Sequence, residues 1–297
     1  MNRKYKEDFI KAGALAREVR AYGKSLIQKN SSYNEVIAKI LEKIRELGAK
    51  PAFPPQIALN EVAAHFLPQP DEDIHFSDQV LKLDIGVCYN GAIGDCAVTI
   101  DLSGKYQKLI DAAEAALLAA ERNIKVGIPL REIGKIIEET IISYGFSVVK
   151  NLSGHGLGFN KIHTPPMVPN YYDQSKSVVK AGMTFAIEPF ATNGRGYILE
   201  AGDPNIFSWI KKRPVNSPVA AFLVEKIKAF DGLPFALHDL CGDQYSLAEV
   251  RKGLNELLDV GSLADYAPLV EQEDSMVAQA ENSVLVDERG NVFITTR

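Results

Sequence analysis

Leu81-Lys82-Leu83-Asp84-Ile85-Gly86-Val87-Cys88-Tyr89-Asn90-Gly91-Ala92-Ile93-Gly94-Asp95-Cys96-Ala97-Val98-Thr99-Ile100 consists of two apolar, β-branched runs about an Asn-Gly pair. Asn-Gly in that setting predicts a tight β-hairpin, because both central turn residues must adopt positive φ. A two-residue loop pairs Tyr89 with Ala92, Gly86 with Asp95 and Asp84 with Ala97. Side chains alternate along a strand, so Asp84 shares a face with Gly86, and Asp95 points the same way as its diagonal neighbour. A bulge or a three-residue loop would instead put the aspartates on opposite faces. Two carboxylates raised from one face of an apolar hairpin repel each other unless something neutralises them, and a cation is the obvious agent.

The 297-residue chain is 46% hydrophobic and 24% charged, which suits one large globular domain or two small ones. A net charge of −5 provides no global positive field to recruit nucleic acid or an anionic membrane. The short basic run Lys211-Lys212-Arg213 reads as a solvated loop. Cys88, Cys96 and Cys241 lack CxxC spacing and suggest no disulfide framework, with Cys88 and Cys96 as small buried hydrophobes on the hairpin. The segment Met1–Asp8 has no signal-peptide character and no run reaches transmembrane length, so a cytosolic protein is expected.

Around the hairpin, Phe9, Ala12, Leu15, Val19, Tyr22 and Leu26 mark an amphipathic helix over 5–28. Ser32 with Glu35 predicts a capping box for a second helix through Leu47, ended by Gly48. The stretch 51–69 reads as largely irregular. Two more helices are expected over 105–125 and 129–144, then a strand near 146–149. Met183–Phe190 reads as one strand, and Met276–Thr296 as two strands about Asp287-Glu288-Arg289-Gly290-Asn291. Residues 195–265 change texture, with helices over 221–230 and 246–258, the second carrying a Ser246/Glu249 capping box. They are expected to form an inserted helical subdomain within a catalytic domain made of 1–194 and 266–297. Hairpins separated by helix pairs, once in each half, imply an α+β architecture: a curved antiparallel sheet with helices on its outer face.

Three further ionisable residues share the hairpin's apolar or glycine-rich setting: His155 between two glycines, Glu188 in Phe185-Ala186-Ile187-Glu188-Pro189-Phe190, and Glu281 ahead of Asn282-Ser283-Val284-Leu285-Val286. Two Asp, two Glu and one His form a donor set of hard oxygens that suits two divalent ions sharing carboxylates, not thiolate zinc. Such a pair, about 3.5–4 Å apart, lowers the pKa of a shared water to near neutrality and so supplies a hydrolase's nucleophile. No HExxH helix, GxSxG elbow or Walker loop offers another source.

Those five residues, in the contexts Leu83-Asp84-Ile85-Gly86, Gly94-Asp95-Cys96-Ala97, Ser153-Gly154-His155-Gly156, Ile187-Glu188-Pro189-Phe190 and Gln279-Ala280-Glu281-Asn282-Ser283, resemble the methionine aminopeptidase family. The resemblance implies a pseudo-symmetric pita-bread fold and removal of the initiator methionine from nascent proteins. It implies that Asp84 binds one metal, that His155 and Glu188 bind the other, and that Asp95 and Glu281 bridge them. Glu188 would also take a proton from the attacking water. His65 matches the family histidine that contacts the scissile amide, and His163 the one that stabilises the tetrahedral intermediate. The helical insertion resembles the type II subfamily in its compact archaeal form, in which Phe53, Ile162 and Tyr266 line the methionine side-chain pocket. Asn282 departs from the histidine common at that place. His75 and His238 match nothing and are expected at the surface. The ions would be Co, Mn, Fe, Zn or Ni, since ligand type does not choose among them. The expected partners are nascent polypeptide N-termini beginning with Met, with ribosome contact left open; the chain is expected to be a monomer that binds no specific nucleic acid and no membrane. A prolidase or Xaa-Pro aminopeptidase shares the five ligands but usually carries a further N-terminal domain, whereas about 80 residues precede Asp84 here. A non-catalytic nucleic-acid-binding relative would have lost ligands and gained basic tails.

Overall fold

The computed structural model describes residues 3–242 and 244–297. Val80–Tyr89 and Ala92–Asp101 pair antiparallel, with Tyr89 opposite Ala92, Gly86 opposite Asp95 and Asp84 opposite Ala97. Asn90 (φ 50°) and Gly91 (φ 82°) both take positive φ, as the two-residue turn requires. Helix α1 (Arg3–Leu26) lies across the hairpin, and α2 (Tyr33–Glu46) packs beside it. Their apolar stripes, among them Leu15, Val19, Ile40 and Ile44, bury the odd-numbered face of the hairpin at Leu81, Leu83, Ile85 and Val87. The even-numbered face, which carries Asp84 and Gly86, is left turned away from the helices. The hairpin approaches α1 closely at Gly94, where any Cβ would collide with the Ala12 carbonyl oxygen. Ser32 caps α2 by accepting from the Glu35 N–H, and its own hydroxyl donates to the Asp73 carboxylate, which also accepts from the Asn34 N–H; the cap is thus tied to a residue distant in sequence.

The stretch 51–69, expected to be irregular, contains two strands. Gln56–Leu59 pairs with Val80–Tyr89, and Val62–Ala64 pairs with Leu269–Val270. Each run is too short to show alternation, and the surrounding prolines Pro51, Pro54 and Pro55 hide it further. These strands exist because partners distant in sequence complete their ladders.

In the second half, α3 (Gln107–Asn123) and α4 (Leu130–Ser143) cover a five-stranded ladder in the order Val292–Ile294, Asn282–Val286, Thr184–Ile187, Ser153–Gly158, Lys161–Pro169. Leu109, Ile133, Ile137, Phe185 and Val284 belong to the core between them. Two strands expected to be continuous are each divided. Met183–Phe190 becomes Thr184–Ile187 and Phe190–Thr192, and the strand before Asp287 becomes Val277–Gln279 and Asn282–Val286. The halves pair in one register, Ile187 with Asn282 and Phe190 with Gln279, so Glu188 stands opposite Glu281 at the shared interruption. Pro189 lacks a ladder N–H, and facing glutamates repel; both work against continuous pairing there.

Between residues 206 and 266, α5 (Pro218–Ile227) and α6 (Leu247–Asp259) pack on a ladder with Ile206–Trp209 at its centre. Phe207, Leu223, Leu254 and Leu257 form a core of their own. The Ser246/Glu249 box closes reciprocally, while α5 begins earlier than its periodicity suggested because Ser217 caps it with Pro218 in the first turn. Among the described residues no helix is long and apolar enough to cross a membrane. The close approach at Gly94 predicts that Gly94→Ala destabilises the chain by about 1–3 kcal/mol in urea unfolding, because the obstructing atom is backbone and cannot rotate away. An unchanged midpoint and slope would contradict that packing.

Candidate metal centre

Asp84 and Asp95 rise from the face of the hairpin turned away from α1 and α2 into a cavity of about 440 Å³. His155 reaches it from Ser153–Gly158, a strand threaded between two others. A Cβ at Gly154 would strike the Ala186 carbonyl and one at Gly156 the Pro165 carbonyl, so glycine on both sides lets this strand pass close enough to present the ring. Glu188 and Glu281 enter at the interruption of their paired strands. Asn170, fully buried, donates to the Leu152 and Glu188 carbonyls and holds one side of that break.

The five side chains converge. Asp95, His155 and Glu281 offer ligand atoms that all lie within 4.8 Å of one another. His155 Nε2 is 3.7 Å from Asp95 Oδ2 and 3.5 Å from Glu188 Oε1. The charge on Asp84 is close enough to raise the pKa of Asp95, Glu188 and Glu281. Burial pushes Asp84 up to about 7, against a bond from Gln279 that lowers it. Burial and mutual repulsion hold Asp95, Glu188 and Glu281 well above the usual carboxylate range. Burial, with His163 beside it, holds His155 down to about 3, so the imidazole is neutral. Its Nδ1 faces the Gly156 carbonyl at 3.3 Å, leaving the Nε2 lone pair toward the carboxylates. Both Asp95 carboxylate oxygens and Asp84 Oδ1 are buried without a hydrogen-bond partner among the described residues. Buried acceptors with no donor are costly, and a neutral ring cannot serve as their counter-charge. Divalent cations fit this donor set: oxygen-rich, with one imidazole and orphaned acceptors facing inward.

The sequence reading missed Gln279. Its Nε2 donates to Glu281 Oε2 at 3.3 Å, and its amide also bonds Asp84, so it links ligands from both halves. Its place two residues before Glu281 was visible in the sequence; its reach to the hairpin was not.

Also lining the cavity, His65 (φ 59°) and His163 (φ 57°) are the positive-φ residues other than Asn, Asp and Gly among the described positions. Strained backbone of this kind persists only where the surroundings enforce it, and it clusters at functional sites. The His163 ring stands edge-on to His155 at 4.4 Å between centroids, and His65 stands edge-on to Tyr266 at 5.3 Å. Burial, with His163 adding, holds His65 down to about 4, and its ring bonds the Ala267 backbone. Phe53 lies over Gly86, where a Cβ would collide with its ring, so the glycine between the aspartates makes room for an apolar wall. Ile162 and Tyr266 border the same cavity, and all ten residues singled out in the sequence line it. Ile206, Pro234, Met167 and Leu269 also line it, and no local signal marked them. His75 is exposed as expected. His238 is not a fully exposed residue: it is half-buried in the turn Leu237–Leu240, whose leucines pack into the core that α5 and α6 share.

The model of metallopeptidase family M24 matches residues 7–233. A methionine aminopeptidase of Thermococcus onnurineus is 40% identical over 294 residues, covering 98% of this chain and 99% of the relative. One of Methanocaldococcus jannaschii is 38% identical, with 98% of each chain covered. The crystal structure of methionine aminopeptidase from Thermotoga maritima superposes with a TM-score of 0.72 at 23% identity, covering 100% of this chain and 98% of that one; at that identity it speaks for the fold alone. A match that spans most of the chain, around a pocket of convergent acidic ligands, means that this chain belongs to metallopeptidase family M24, with the methionine aminopeptidases.

Proposed function

We propose that this chain is a metalloaminopeptidase that removes the initiator methionine from nascent polypeptides by hydrolysing the first peptide bond. The observation that carries the reading is the convergence of five ligand residues and an apolar wall on one cavity, in a chain whose relatives are methionine aminopeptidases over nearly their full length. In this reading Asp84 would hold one divalent ion and His155 and Glu188 a second, with Asp95 and Glu281 serving both. Bound there, such ions supply Lewis acidity and bring the pKa of water toward neutrality.

The remaining roles belong to the chain's own side chains. Glu188, whose pKa is raised by burial, accepts the proton of the attacking water. His65 is neutral and placed to bond the scissile amide, and His163 donates to the oxygen on which charge develops. Phe53, Ile162 and Tyr266 enclose an apolar, polarizable side chain, which suits a thioether. The same reading assigns residues 195–265 to a subdomain inserted between 1–194 and 266–297, supported by its separate core. It also places the protein as a monomer in the cytosol, where its free cysteines stay reduced.

Substituting Asp84 or His155 by Ala should abolish methionine release from Met-Gly-Ser, and unchanged turnover in either variant would refute the assignment. His163→Ala should lower kcat by about 10²–10³-fold, the range for losing one oxyanion donor.

The raised carboxylates also set a pH dependence. Without metal, the folded chain keeps protons that the unfolded chain has released, so stability falls as pH rises from the ordinary carboxylate range through about 7 and beyond. His155 and His65 act oppositely: their contribution is complete above 6.5 and is lost as pH falls toward about 4 and 3. The Tm of chelator-treated protein should therefore be higher near pH 6.5 than near pH 8, and added Mn(II) should raise it more at the higher pH, where protons compete less. A metal-free Tm that rises over this interval would contradict a cluster of protonated carboxylates.

A further inference from the structure

The seam between the two halves crosses the metal centre, and it is not an ordinary β-ladder. The strand Ala92–Asp101 runs antiparallel to the segment Val277–Val286 in a constant register, with Asp95 facing Ser283, Ala97 facing Glu281 and Thr99 facing Gln279. At the outer two positions a hydroxyl replaces direct backbone pairing. Ser283 Oγ accepts from the Asp95 N–H and donates to the Asp95 carbonyl, each at 2.8 Å. Thr99 Oγ1 accepts from the Gln279 N–H at 2.8 Å and donates to its carbonyl at 2.7 Å. One backbone bond remains at the centre, from the Glu281 N–H to the Ala97 carbonyl at 3.3 Å. Arg20 of α1 sits over that centre: its guanidinium donates to the Glu281 carbonyl at 3.0 Å and Asn282 Oδ1 at 3.1 Å, and reaches the Ala97 carbonyl at 3.5 Å. Ser283 is fully buried and Thr99 nearly so, so neither hydroxyl has water as an alternative partner.

We propose that Ser283 and Thr99 are spacers, and Arg20 a clamp, that together set the separation between Asp95 and Glu281. The argument rests on the metal-centre reading above. Asp95 finds no hydrogen bond for its own carboxylate, so its position comes from its backbone, and the Ser283 hydroxyl holds that backbone at both polar groups. Thr99 does the same for Gln279, whose amide touches Glu281 and Asp84. Inserting a hydroxyl on either side of one direct bond leaves the two strands farther apart than a ladder would, and the ligand side chains span the gap. These are positioning residues; none supplies a ligand atom in this reading.

The test is titration of the metal-free full chain with Co(II), read by visible absorption and calorimetry, alongside thermal melts. Ser283→Ala and Thr99→Val should weaken Co(II) binding by about 10–100-fold, the usual range for groups that orient ligands. Thr99→Ser, which keeps the hydroxyl, should restore most of it, and Arg20→Lys should fall between. Tyr33→Phe, which loses buried bonds in the other core, serves as the control for stability alone and should leave Co(II) affinity unchanged. If Thr99→Val fails to fold, Ser283→Ala and Arg20→Lys decide the matter. Lower Tm with wild-type Co(II) affinity in the seam variants would overturn the proposal and leave the metal centre standing. A wild-type chain that takes up no Co(II) would overturn both.

Discussion

The crowding of buried carboxyl groups into one cavity is the constraint on which the rest of this molecule depends. Four carboxyl groups and one neutral imidazole share a single cavity, and Asp84 Oδ1 and both Asp95 carboxylate oxygens meet no donor among the described residues. Left to themselves they keep protons well above the ordinary carboxylate range. A fold that tolerates this must place the groups largely through their backbones, with the Gln279 amide steadying Glu281 and Asp84.

The architecture meets that demand from two directions. The hairpin carries its aspartates on the face that α1 and α2 do not cover, and the paired strands of the second half open where Glu188 and Glu281 stand opposite each other. A proline and a pair of facing glutamates interrupt those strands at the same level, so the break that weakens the ladder also delivers two carboxyl groups to the cavity. Hydroxyls then bridge the halves where backbone pairing stops. Local loss of regular structure and assembly of the site are the same event.

The rest of the cavity lining shows a second division of labour. His65 and His163 are held in left-handed backbone, and strain of that kind is retained where position matters more than local comfort. Beside the aspartates, Phe53 occupies the space over Gly86, and Ile206 and Pro234 add to the lining. A polar floor with an apolar wall suits a substrate that presents a peptide bond to one and a thioether side chain to the other.

Much of this was legible in the residues. The turn, register and shared face of the hairpin follow from an Asn-Gly pair and period-two alternation, both local rules, and the structure reproduces them pair for pair. The helices declared themselves by periodicity and caps, and the acidic ligands stood out as charges in apolar runs. The short strands in 51–69, the paired breaks, the reach of Gln279 and the lining from the insertion could not be read in advance. Each depends on partners many residues away in the chain: Glu188 meets Glu281, Thr99 meets Gln279, and Ile206 meets a cavity built before it. The sequence by itself determined which groups carry the chemistry and which way the hairpin points them, because strand alternation is a property of neighbours. Only the tertiary structure decided how far apart those groups stand, because that distance is set where the two halves pack.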